Sequence, residues 1–99
     1  MDFVELIFDF IVKMRCENEF DSNSYHSIKD GLQTKIAEWK NQGSVPNNDV
    51  VAVVSLIEQL VGGNRFFDEE TAIKAEDASI EIIDLINQLS SDLSQKHLP

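Results

Sequence analysis

Apolar side chains recur along most of the chain at intervals of three and four residues. Phe3, Leu6, Ile7, Phe10, Ile11 and Met14 follow the i, i+3, i+4, i+7 pattern of one helical face. Val4, Phe8 and Val12 widen that face, leaving Glu5, Asp9 and Lys13 as the polar line. The pattern predicts a helix over 3–16, central to the core, with an Asp9–Lys13 pair at i, i+4. A polar stretch, ENEFDSNS (17–24), follows and holds several candidate N-caps. Tyr25, Ile28, Leu32, Ile36 and Trp39 then trace a narrower stripe and predict a second helix over 24–41. Gly31 interrupts it at a cost of roughly 1 kcal/mol relative to Ala. Gly43 and Pro46 come in the order that ends a helix.

The run VVAVVSLIEQLV (50–61) is β-branched enough for a buried strand. Its length, the caps offered by Asn47, Asn48 and Asp49, and the Gly62–Gly63 stop favour a third helix. Ser55, Glu58 and Gln59 are confined to one side, as a helix requires. A fourth helix is predicted from Asp68 to about Ser94. Ala75, Ala78, Ile82, Leu85, Ile86, Leu89 and Leu93 share its core face. Four helices with short connections imply an all-α, single-domain antiparallel bundle over residues 1–99.

Charge changes the picture. The chain has 99 residues and a net charge of −10, from 18 acids and 8 bases. That balance argues against direct nucleic-acid binding, which wants Lys and Arg, and against anionic membranes. No apolar run approaches the ~20 residues of a membrane span. The N-terminus carries Asp2, Glu5 and Asp9 and no early base, unlike a secretory signal. Cys16 is the one cysteine, so neither an internal disulfide nor a Cys-based zinc site is expected; a reducing cytosol is compatible.

Seven acids and the single base Lys74 fall within DEETAIKAEDASIEIIDL (68–85). Like charges at i, i+3 or i, i+4, here Asp77–Glu81 and Glu81–Asp84, repel by roughly 0.2–0.5 kcal/mol a pair. A helix built only for stability would alternate signs. Glu70, Asp77, Glu81 and Asp84 fall away from the core face, with Ile73 and Ile80 beside them. These acids suit encounter with a basic partner, and Ile80 suits an apolar anchor. The plainer account is also physical. Asp68, Glu69 and Glu70 complement the helix dipole, solvated acidic faces aid solubility, and Ile73 and Ile80 are available to cover Phe66 and Phe67.

Sites for chemistry are weak by comparison. Cys16, His26 and His97 have no spacing that joins a nucleophile to a base, and two separated histidines make a poor metal site. DSNSYHSIKDGL (21–32) begins like a calcium loop. It fails where Tyr25 takes a ligand position, His26 replaces the turn glycine and Leu32 the bidentate glutamate. No enzyme and no cofactor are expected. The chain is similar in composition to acyl carrier proteins, but Val54-Ser55-Leu56 and Ala78-Ser79-Ile80 lack the Asp that precedes their modified serine.

In size, charge and helical class the whole chain resembles small acidic bacterial immunity proteins and antitoxins, which block a toxic nuclease. It lacks the Tyr-Tyr pair that anchors the helical immunity proteins of DNase colicins, since Tyr25 stands alone. The resemblance therefore implies a general inhibitor of a basic toxin. The other expectation is a structural or regulatory interaction module, including a helical homodimer formed through the broad apolar faces of the first and third helices.

Overall fold

The computed structural model describes residues 2–62 and 69–96, with side chains as far as residue 88. It contains four helices and, among the described residues, no strand: α1 (Phe3–Glu17), α2 (Ser22–Gln42), α3 (Asn47–Gly62) and α4 (Glu69–Lys96).

Local chemistry sets the helix ends. The Asp2 carboxylate accepts from the Glu5 backbone N–H at 2.8 Å and opens α1. Asn18 closes it in the left-handed region at φ 52°, which a short polar side chain tolerates better than most. Asp21, from the polar stretch, is the N-cap of α2, accepting from the Ser24 N–H at 3.2 Å. Gly43, at φ 75°, ends α2 and donates its N–H to the Trp39 carbonyl at 2.8 Å.

The expected caps of α3 are a correction. The helix already begins at Asn47, and the Val50 N–H donates to the Pro46 carbonyl at 3.1 Å. Asn47, Asn48 and Asp49 therefore lie inside the first turn, where Pro46 is a natural predecessor because it needs no N–H partner. Asp49 is buried and accepts from the Trp39 indole N–H at 3.2 Å. That bond joins the end of α2 to the start of α3 across a turn only a few residues long.

The core draws on all four helices. Ile7, Phe10 and Met14 of α1 meet Tyr25, Ile28 and Leu32 of α2, Leu56 and Leu60 of α3, and Ala75, Ala78 and Ile82 of α4. Phe10 stands edge-on to Phe20 with ring centroids 5.3 Å apart. The two alanines of α4 let that helix approach closely. Of its expected core face, Leu85 and Ile86 are half-buried, and the side chains of Leu89 and Leu93 lie outside the described residues. Gly31 has a packing reason: a Cβ there would stand 3.2 Å from the Phe3 ring.

Successive helices run antiparallel, but their neighbours are not all successive. α1 packs on α2 and α3, and α4 packs on the same two. Tyr25 meets Ala78 and Lys29 meets Glu81, so α2 and α4 run side by side in the same direction. Phe8 and Arg15 line one cleft with Ser55 and Gly62, so α1 and α3 are also a parallel pair.

Two expectations for α1 are corrected. Phe8 and Val12 are exposed instead of widening the buried face. Lys13 pairs with Asp21 at 3.1 Å and with Glu19 at 3.9 Å, not with Asp9. The Asp21 carboxylate is already fixed by its capping bonds, so the lysine side chain meets a preorganised acceptor. No described helix is long and apolar enough to cross a membrane.

Candidate protein-binding face

The geometry of α4 divides the predicted site into two strips. On the α2 side, Glu81 and Asp84 line a shallow cleft with Lys29, Gln33 and Leu85. Lys29 donates to Glu81 at 2.6 Å. Its ammonium also lies 5.7 Å from the centre of the Tyr25 ring. Glu70 pairs with Lys74 at 3.3 Å, one turn along the helix. Asp77 and Asp84 are exposed, and no base among the described residues forms an ion pair with either.

Ile80 belongs to the other strip. It is 56 % exposed and shares a hollow with Leu60 and Val61 of α3 and with Glu76 and Ser79 of α4. The structure thus places Ile80 beside an apolar surface that spans two helices, with Asp77 and Asp84 beyond it on the outward side. Ile73 is exposed as well. Phe66 and Phe67, which it was expected to cover, lie outside the described residues, as does His97.

Several members of this face were not singled out in the sequence. Val50, Val54, Ile57 and Val61 repeat at i, i+4, i+7 and i+11 and form one stripe of α3. Val50, Val54 and Val61 are exposed and Ile57 is half-buried. The periodicity was visible, but it also fits a core face. The Lys29–Glu81 pair spans 52 residues and left no local signal.

Electrostatics around Tyr25 follow from packing. Burial pushes its phenol well above the ordinary value, and the charge of Glu81 acts in the same direction. The hydrogen bond from Lys29 holds Glu81 below the usual carboxylate range. The Ser24 backbone N–H, followed by Lys13, does the same for Asp21. A lowered folded-state pKa means stability that is present above the unfolded carboxylate range, near 4, and lost as pH falls through the folded value. The denaturation midpoint of the wild type should therefore drop on acidification below about pH 4–5. D21N/E81Q should show a shallower drop, because the relief of repulsion among the remaining acids is common to both proteins. Parallel slopes for the two proteins would rule out these carboxylates as the acid-sensitive contacts.

No group of three His, Cys, Asp or Glu side chains among the described residues could hold a metal. Cys16 is exposed at the end of α1, and His26 is exposed with its ring 6.0 Å from that of Tyr25. Ser79 is buried and donates its hydroxyl to the Glu76 carbonyl of its own helix at 2.6 Å. No family model, curated protein or solved structure matches the chain.

Proposed function

We propose that this chain is a non-enzymatic acidic binding protein that inhibits a basic protein partner. A nuclease toxin is the leading partner class. Inhibition would consist of covering the Lys- and Arg-rich surface that otherwise receives phosphate. The observation that carries this reading is the pair Asp77 and Asp84: exposed on the outward side of α4, charged, and left without a described base. With Glu70 and Glu81 they form a like-signed strip that long-range attraction can use. The free thiol of Cys16 suits action in a reducing cytosol.

The test is retention of a partner from the native host on immobilised wild type and on D77N/E81Q/D84N. A basic protein held by the wild type, released by the triple variant, and inhibited in its own activity by the wild type supports the reading. Equal retention on both baits contradicts it.

A second reading, a regulatory module that forms a homodimer, is favoured by Phe8, Val12 and Val51, which leave apolar surface exposed on α1 and α3. Sedimentation at micromolar concentration separates the two. The inhibitor reading expects a monomer, and a stable dimer would favour the alternative.

A further inference from the structure

We propose that the surface shared by α3 and α4 is a groove for an amphipathic helix of the partner, with apolar residues along its centre and Lys or Arg on its flanks. The proposal rests on the basic-partner reading above and assigns the partner's contact element. Its floor has two hollows. One, of about 190 Å³, is lined by Trp39, Val45, Val50, Val53, Val54, Ile57 and Ile86, together with the buried Asp49. The other lies between Val61 and Ile80. Ile57 belongs to the first hollow, and Ile83, exposed on α4, falls between Ile80 and Ile86 in sequence, so apolar positions link the two hollows.

From Val50 to Val61 the stripe covers eleven residue steps, about 16 Å at the helical rise of ~1.5 Å. That is the length of roughly three helical turns. Such a groove takes anchors at i, i+4 and i+7 from an opposing helix.

Charge decides between occupants. The exposed acids nearest this surface are Glu76, which lines the second hollow, and its neighbour Asp77; Glu58 lines the α1–α3 cleft and Asp84 the α2–α4 cleft, on the outer sides of the two helices. Among the described residues, no base lines either hollow. A second copy would bring Glu76 and Asp77 against acids of the same kind, with a net charge of −10 on each chain. A basic amphipathic helix instead meets an apolar centre with an apolar ridge and acids with bases.

Synthetic helical peptides test this on the full chain. One carries Leu at i, i+4, i+7 and i+11 with Lys on both flanks. A second has the same composition with the apolar spacing scrambled, and a third replaces Lys by Glu. Binding is read by the anisotropy of a dye on the peptide and by the fluorescence of Trp39, the single tryptophan. The Lys-flanked peptide should bind and change the Trp39 signal, and the other two should not. V54A/I80A alters exposed positions with a good helix former, so the fold is retained. It should weaken binding by about tenfold or more, as expected for central anchors.

Equal binding of the scrambled peptide, binding of the Glu-flanked peptide, or an unchanged affinity for V54A/I80A overturns the groove. So does a wild-type dimer that V54A/I80A converts to monomer, since a second copy would then hold this face. The native partner separates this failure from that of the basic-partner reading. Retention lost in D77N/E81Q/D84N but kept in V54A/I80A removes the groove alone. The reverse pattern keeps the groove and removes the acidic strip as the determinant.

Discussion

Phe10→Ala is expected to destabilise the protein by about 3–5 kcal/mol. Phe10 is 2 % exposed in the centre of the bundle, edge-on to Phe20 and 6.4 Å from the Tyr25 ring. Truncation removes the transfer free energy of the ring and leaves a cavity whose walls are other large side chains. Tyr25 belongs to α2, which is capped at both ends by Asp21 and Gly43, so collapse into the void is limited. A domain of this size has ~5–15 kcal/mol in total. A loss of this order should therefore lower the denaturant midpoint sharply and threaten folding at 37 °C. An unchanged midpoint would show that α1 does not anchor the core.

The second large effect is polar. Asp49→Ala removes the one acceptor of the Trp39 indole N–H among the described residues, in a site where both residues are buried. An unsatisfied buried donor costs about 1–3 kcal/mol, more than the net worth of the bond that was lost. Trp39→Phe alone should also destabilise, since it strands the Asp49 oxygen and leaves space beside Val45 and Val50. The double variant W39F/D49A should lose less than the sum of the singles, because neither partner is then left buried without the other. Denaturation of the four proteins checks this. Strict additivity would mean that the indole and the carboxylate are not coupled.

Much of this architecture was legible in residue order. The spacing of Ile7, Phe10 and Met14 and of Ala75, Ala78 and Ile82 placed the buried faces of α1 and α4, because helical periodicity and burial share one geometry. Gly43 followed by Pro46 marked the end of α2, because only certain residues accept the backbone conformations of a helix stop. Residue type alone could not reveal what each apolar stripe faces. Val54 and Val61 have the same chemistry as Val53 and Leu60, and only the placement of α4 against α3 decides which of them are covered. Side-chain partners distant in sequence were equally hidden. Asp49 had the composition of a cap, yet it serves Trp39. Lys13 had a local acid available in Asp9, yet it meets Asp21.

The candidate site shows the same division. That Glu70, Asp77, Glu81 and Asp84 share a side of α4 follows from 100° of rotation per residue. That Glu81 is held by Lys29, while no base among the described residues pairs with Asp77 or Asp84, follows only from the approach of α2. The functional weight therefore shifts toward Asp77 and Asp84. Likewise, Ile80 gains its apolar neighbours from α3, not from its own helix.

The most direct measurement of the central claim is the association rate of the retained partner with wild type and with D77N/E81Q/D84N, taken across a range of salt concentrations. At low ionic strength the Debye length is about 30 Å at 0.01 M, and the acidic strip acts at full reach. The wild-type rate should be highest there and fall steeply as salt rises. The triple variant should associate more slowly, with a flatter salt dependence and an intact helical signal. A triple variant that associates at the wild-type rate at low salt would contradict the account and leave the acids of α4 as a solvated surface.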